Sequence, residues 1–139
     1  MAKAGRSARI KGHTYEREIC ALLKGLGYSA VTSRSESKRL DDKGGDIVTD
    51  FPFHIQAKAV ERMSMPAHDL LKTMAEKLTD KPSVLFHKRN NKGTVISMTL
   101  ETFLTLACAK QEIEALQKQY KALSKLYEMQ EKEALNKEK

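Results

Sequence analysis

The chain has 139 residues, 40% of them hydrophobic, and a formal net charge of +7. This length suits one domain with an appendage, and the absence of any run of about 18 apolar residues predicts no membrane span. The N-terminus is basic but lacks the apolar stretch of a signal peptide, so we expect a cytoplasmic protein. Cys20 and Cys108 are expected to be buried free thiols.

The N-terminal segment, residues 1–12, has no hydrophobic periodicity and is predicted to be a flexible basic arm. A first helix is expected to begin near His13 and to end at Gly25. Glu16 and Glu18 then lie at the two edges of its apolar stripe, within reach of a nearby site or simply solvated. A basic arm on a basic domain is typical of a protein that binds nucleic acid. The expected stripe consists of Tyr15, Ile19, Leu22, Leu23 and Leu26.

A short strand at residues 28–32 is followed by a polar stretch, residues 33–45, which ends in two glycines and is predicted to be a loop. Its serines and basic residues are suited to contact phosphate groups, whereas the simpler interpretation is a solvated loop without a ligand. The basic candidates for DNA binding in the arm and loop are Lys3, Arg6, Arg9, Lys11, Arg34, Lys38, Arg39 and Lys43.

The central stretch, residues 44–58, is predicted to form a hairpin that turns at residues 51–52. Asp46 opens the first strand, and Gln56 and Lys58 share one face of the second because side chains two apart in a strand point the same way. A carboxylate, an amide oxygen and an amine at one point suggest a site for a metal ion and water. His54 lies on the same face, as a supporting group or as a merely structural histidine.

The remaining elements are a helix that starts near Pro66, a strand at residues 83–89 and a second strand at residues 94–98 that pairs back through a turn. The last helix starts after Thr99 and acquires a heptad seam, which predicts a two-stranded coiled coil that dimerises the chain; the alternative is a helix laid back on its own domain. The seam consists of Leu106, Ala109, Ile113, Leu116, Tyr120, Leu123, Tyr127, Gln130 and Ala134.

These residues together resemble the PD-(D/E)XK nuclease superfamily, and within it the archaeal-type Holliday junction resolvases and their viral relatives. The resemblance covers roughly residues 9–106 and rests on Glu16 in Tyr-Glu-Arg-Glu-Ile, on the serine-bearing loop at residues 34–39, on Asp46 and on Gln56-Ala57-Lys58. Two departures stand out. Gly45 replaces the proline of the superfamily motif, and Gln56 replaces a metal-binding carboxylate.

The resemblance implies a restriction-endonuclease-like α/β fold, with a central mixed β-sheet flanked by helices, followed here by a long C-terminal coiled-coil helix. It implies a nuclease domain at residues 13–107, whereas the C-terminal helix at residues 108–139, the predicted coiled coil of the heptad pattern, is not part of the resemblance. The implied activity is Mg²⁺-dependent hydrolysis of DNA, with Mn²⁺ as a substitute, by a homodimer that nicks four-way junctions symmetrically.

The resemblance also implies the roles of individual residues. The expected metal ligands are Glu16, Asp46, Gln56 and the Ala57 backbone carbonyl. Lys58 is expected to orient or help deprotonate the attacking water and to stabilise the developing charge, and Ser35 to contribute to cleavage. Whether Glu18, Asp41 or Asp42 joins the metal site stays open. Two other functions also stay open: a nuclease of this superfamily that acts on duplex or flap DNA, and a non-catalytic DNA-binding protein of the same fold.

Overall fold

The computed structural model describes residues 2–36 and 38–137 and divides them into two units, residues 1–99 and the long C-terminal helix. The first unit is a mixed α/β domain. Its helices are α1 (Ala2–Gly25), α2 (Ser33–Glu36), α3 (Lys38–Asp42) and α4 (Ala67–Lys77), and its strands are β1 (Ala30–Thr32), β2 (Ile47–Thr49), β3 (His54–Ala59), β4 (Ser83–Lys88) and β5 (Thr94–Ser97).

The main sheet has the order β3–β4–β5. β3 runs parallel to β4 with Ile55 opposite Val84, and β5 returns antiparallel to β4 through a turn at Asn91, whose φ is 54°. The parallel pair requires a crossover connection, which α4 provides. The predicted pairing of the last two strands of the domain is therefore confirmed. The coarse prediction of a mixed sheet with helices is also confirmed.

The predicted hairpin of the central stretch is wrong. β2 pairs antiparallel with β1, with Val31 opposite Val48, and forms a separate two-stranded sheet. Residues 46 and 55 are nevertheless joined, because the Asp46 N–H donates to the Ile55 carbonyl at 2.8 Å. Asp46 thus lies against the edge of β3 that β4 leaves free, which is where the hairpin was expected to place it.

Both faces of β3 are covered. Ile55 and Ala57 belong to a core cluster with residues of α1, whereas Gln56, on the opposite face, lies near Met74 of α4. A parallel strand between two helical layers is buried on both sides, so its polar side chains are not exposed to solvent as alternation alone would predict. His54, Ile55, Gln56 and Ala57 are all buried.

The first helix differs from its prediction in two ways. It begins at Ala2 rather than near His13, so residues 2–12, predicted to be a flexible arm without regular structure, are helical; this stretch lacks proline and is rich in Ala, Lys and Arg, which are good helix formers. Its buried face also differs, because Leu22 and Leu26 are 58% and 65% exposed. The residues that α1 buries are Tyr15, Glu16, Ile19, Cys20 and Leu23.

The stretch predicted to be one loop, residues 33–45, instead contains the two short helices α2 and α3, and Gly44 follows with a φ of +89°. A side-chain hydrogen bond to the backbone stabilises the first of these helices: the Ser35 hydroxyl donates to the Thr32 carbonyl at 2.7 Å. Ser and Asp side chains stabilise such turns by bonding to nearby backbone. The polar composition of this stretch therefore reflects local helix starts rather than irregular chain.

The C-terminal unit is one helix, α5 (Leu100–Lys137), with no buried residue along its 38 positions. Cys108 is exposed on it, so the prediction of two buried thiols is correct only for Cys20. The whole predicted seam, from Leu106 to Ala134, lies within this helix. Glu138 and Lys139 lie outside the described residues. No helix in the described ranges is long and apolar enough to cross a membrane.

Candidate active site

Asp46 is the best-anchored residue of the candidate site. Its carboxylate accepts a 2.7 Å hydrogen bond from the Ala57 N–H, and its own N–H bonds Ile55. These two contacts hold the side chain against β3, beside the positions that the sequence singled out. The pKa of Asp46 is raised to about 6, chiefly by burial and to a smaller extent by the negative charge of Glu16, although the hydrogen bond from the Ala57 N–H acts to lower it.

Glu16 is more deeply buried than the sequence indicated, at 3% exposure. It was placed at the edge of the apolar stripe, but it lies within the buried face of α1, one turn from Cys20. Burial raises the pKa of Glu16, and the charges of Arg34 and Lys58 act in the opposite direction. Its Oε2 atom is buried and has no hydrogen-bond partner among the described residues.

Gln56 contributes a second buried oxygen of this kind. Its Oε1 atom has no hydrogen-bond partner in the described part of the chain, although the residue is only 8% exposed. The amide lies beside Gly44, where an added Cβ would come within 3.8 Å of Nε2 and 3.4 Å of Met74. Because these are ordinary contact distances, it is the φ of +89° rather than a lack of space that favours glycine at position 44.

Gly45 accounts for one departure from the superfamily motif. Its N–H donates to the Leu40 carbonyl at 3.0 Å, and a Cβ at this position would lie 2.7 Å from the Leu40 side chain. Proline has neither an N–H nor room for its ring here. Any side chain at position 45 would force Leu40 of α3 to shift, and glycine avoids this where the chain leads into Asp46.

Lys58 follows Gln56 on β3 and is partly exposed. Its charge acts on both Glu16 and Asp46, so it lies in the electrostatic field of both carboxylates. It also lines a cavity of about 490 Å³ with Arg62, Met65 and Leu70. The lysine therefore connects the buried acids with an accessible surface.

Two residues of the polar stretch join this group: Asp41, which was left open as a metal ligand, and Ser33, which was predicted only as a candidate phosphate contact. Asp41 accepts a 3.2 Å hydrogen bond from the buried Ser33 hydroxyl, and its charge raises the pKa of Glu16. Ser33 also donates its N–H to the Asp46 carbonyl at 2.8 Å, which ties α2 to the site. A serine before a short polar run carries no signal that separates this role from an ordinary turn.

Other predicted residues lie elsewhere. Glu18 pairs with Lys88 at 2.7 Å, and the Ser35 hydroxyl bonds Thr32 rather than any acid of the site among the contacts of the described residues. Arg6, Arg9, Lys11 and Arg39 are exposed on helices. The side chains of Lys3 and Lys38 lie outside the described residues.

The donor set fits a hard divalent cation. A buried carboxylate at Glu16, a partly buried one at Asp46, an amide oxygen at Gln56 and the backbone carbonyl of Ala57 are the kinds of oxygen ligand that Mg²⁺ takes. Glu16 Oε2 and Gln56 Oε1 have no hydrogen-bond partner among the described residues. Within the described ranges, no three His, Cys, Asp or Glu side chains cluster closely enough to hold a metal by themselves. An ion here would therefore depend on the amide and carbonyl oxygens as well as on the acids.

Comparison of the chain with protein-family models, with curated proteins and with solved structures gives no match.

Proposed function

We propose that the protein is a metal-dependent endonuclease that hydrolyses DNA phosphodiester bonds, with four-way junctions as its preferred substrate. The observation that carries the proposal is that Glu16 and Gln56 each keep a buried oxygen without a hydrogen-bond partner among the described residues, while the charges of Glu16 and Lys58 both act on Asp46. Leaving a buried polar atom unpaired costs about 1–3 kcal/mol, and strained or unsatisfied polar groups concentrate at functional sites. The junction preference rests on the resemblance of the sequence to resolvases.

In this proposal Glu16, Asp46, the Gln56 side chain and the Ala57 carbonyl hold Mg²⁺. The bound ion would polarise the scissile phosphate and lower the pKa of a bound water. Lys58 orients the attacking water and stabilises the negative charge that develops on the phosphate. Ser35 reaches a phosphate only after its bond to Thr32 is broken, so we assign it a smaller contribution.

The basic residues supply the contact with DNA. Arg6 and Arg9 are exposed and three positions apart, so they share one face of α1, and neither has an acidic partner among the ion pairs of the described residues. Because this stretch is helical rather than coiled, it presents its charges as a fixed row. Lysine and arginine contacts of this kind supply most sequence-independent affinity for a phosphate backbone.

We further propose that α5 forms a two-stranded coiled coil with a second copy. Its seam from Leu106 to Ala134 spans about 43 Å at 1.5 Å per residue, and all of its apolar members lack a buried environment in one chain. Its alternating three- and four-residue spacing is the heptad pattern that packs against the same seam of a second, identical helix. Two copies bring two sites, which paired nicking of a junction requires.

The dimer is tested by sedimentation of a Leu116→Glu/Leu123→Glu double variant. We expect it to be monomeric, because both substitutions place charge in the seam. The control is Ala115→Glu/Ala122→Glu, which adds the same charges one position away from the seam and should stay dimeric. A seam variant that sediments as the unchanged dimer would place the interface elsewhere.

The activity is tested by cleavage of a four-way junction beside a linear duplex of the same sequence, with and without Mg²⁺. We expect Mg²⁺-dependent paired nicks in the junction, and loss of cleavage with retained DNA binding in Asp46→Ala. Faster cleavage of the duplex or of a flap would favour a different nuclease of the superfamily.

A second candidate is a DNA-binding protein without catalysis. The observation that favours it is the neutral Gln56 in place of a carboxylate, which weakens the attraction of the site for a cation. Junction binding without cleavage in either Mg²⁺ or Mn²⁺ would select this candidate.

A further inference from the structure

Arg34, at the start of α2, makes three polar contacts around the site. Its Nη2 lies 3.6 Å from Glu16 Oε1, its Nε lies 4.0 Å from Asp41 Oδ1, and its Nη1 is 3.0 Å from His13 Nε2. The guanidinium therefore bridges α1 and α3 above the buried acid. The side chain is half exposed, at 49%, so one side of it faces solvent.

The contact with Glu16 is asymmetric. One carboxylate oxygen faces Arg34, while the other is buried without a partner in the described part of the chain. A buried carboxylate is costly unless a positive charge or several donors accompany it. Of the charges that stabilise ionised Glu16, Arg34 has the largest influence, ahead of Lys58.

The position of Arg34 is fixed by its neighbour. Ser33 is fully buried, donates its N–H to the Asp46 carbonyl and its hydroxyl to Asp41. The backbone of α2 is thereby tied to Asp46, directly before β2. The contacts of the guanidinium among the described residues are with the side chains of Glu16, Asp41 and His13, and a long arginine can turn outward without moving this backbone.

We propose that Arg34 is a stand-in cation: it neutralises Glu16 when no divalent ion is bound, releases Glu16 when one binds, and is then free to contact the phosphate being cleaved. The inference rests on the proposed function, since it concerns the same metal site. Two cations that compete for one carboxylate weaken each other's binding, and this coupling is reciprocal. Arg34 is thus a positioning residue that opposes metal binding and promotes binding of the phosphate.

The two roles predict opposite effects of one substitution. Arg34→Gln removes the competing charge and should tighten Mg²⁺ binding to the full-length protein by roughly tenfold, measured by isothermal titration calorimetry without DNA. The same variant should cleave junctions more slowly at saturating Mg²⁺, because the phosphate loses its arginine. A residue with a merely structural role would weaken both properties together.

Arg39→Gln is the matched control, because it removes the same charge from the neighbouring helix α3, where the exposed side chain makes none of the ion pairs seen among the described residues. It should leave the Mg²⁺ affinity within about twofold of the wild type. Arg34→Lys, which keeps the charge but loses the forked contacts, should give an intermediate affinity and serves if Arg34→Gln fails to fold.

The outcomes separate the two proposals. If the wild type binds Mg²⁺ but Arg34→Gln, or Arg34→Lys in its place, binds no more tightly than Arg39→Gln, the stand-in role is overturned and the metal site stands. If the wild type shows no saturable binding of Mg²⁺ or Mn²⁺, the metal site itself is wrong and the stand-in role is wrong with it.

Discussion

Two polar groups on β3 differ in how their hydrogen bonds are satisfied. At the start of the strand, the buried His54 places Nε2 2.7 Å from Asp80 and bonds Pro82 through its backbone N–H. Two residues on, the side-chain oxygen of Gln56 has no hydrogen-bond partner among the described residues, and the same holds for Oε2 of Glu16 on α1. The first group is complete without a ligand, whereas the second has acceptors available for a cation. His54 and Gln56 lie on the same face of one strand, so position alone does not distinguish a structural polar residue from a candidate ligand. The presence or absence of a hydrogen-bond partner does distinguish them.

The largest effect should come from Lys58, which lies two residues after Gln56 on β3 and therefore on the same face of the strand. Lys58→Ala is expected to lower the cleavage rate by roughly 10²–10⁴-fold, the usual contribution of a positioned proton-transfer group, while Mg²⁺ still binds. Lys88→Ala is the matched control, since Lys88 lies on the adjacent strand and pairs with Glu18. Equal rates for Lys58→Ala and the wild type would remove this lysine from the mechanism.

A smaller effect is expected on the pH dependence of stability without metal. The folded-state pKa of Asp46 is raised to about 6, so its protonated form stabilises the fold below pH 4, and this contribution is lost as the pH rises through 6. The shift corresponds to roughly 2–3 kcal/mol in the free energy of unfolding. Asp46→Asn keeps an oxygen that can accept from Ala57 and should lack this loss.

The measurement is urea unfolding of both proteins in a chelator at pH 4.5 and pH 7.5. Between pH 4.5 and pH 7.5, the free energy of unfolding should fall more in the wild type than in Asp46→Asn. Identical differences in the two proteins would mean that Asp46 is not held in a costly charged state.

The smallest effect compares the two polar groups directly. Gln56→Met replaces an unpaired amide by an apolar side chain of similar size, and we expect unchanged or higher stability, by up to about 1 kcal/mol. His54→Met removes a satisfied group and should lower stability by about 1 kcal/mol. Thermal unfolding of both variants without metal checks this, and a Gln56→Met protein less stable than His54→Met would reverse the comparison.

The sequence predicted most elements of the first unit but misplaced the acid that matters most. Apolar residues at 22 and 26 were included in the stripe of α1, which moved Glu16 to its edge. With Cys20 as the centre of the stripe, Glu16 lies on the buried face. Hydrophobic periodicity alone could not decide, because leucines occur on both sides of this helix and a buried glutamate is uncommon.

The central stretch shows the opposite case, in which a hairpin that does not form still predicted the proximity of Asp46 to β3 that the structure shows. A hairpin was the simplest way to bring Asp46 beside residues 56 and 58, but β2 pairs with β1 instead. Local spacing carries no information about which distant strand a segment pairs with. Two hydrogen bonds from Asp46 to the free edge of β3 restore the expected proximity.

The central claim, that the unpaired oxygens form a cation site, is tested most directly by thermal unfolding of the wild type and of Asp46→Asn with and without saturating Mg²⁺. An ion at free concentration [L] that binds only the folded state raises the free energy of unfolding by RT ln(1 + [L]/Kd). We predict a saturable increase in the melting temperature of the wild type and little or none in Asp46→Asn. The same increase in both proteins, or none in the wild type, would contradict the claim.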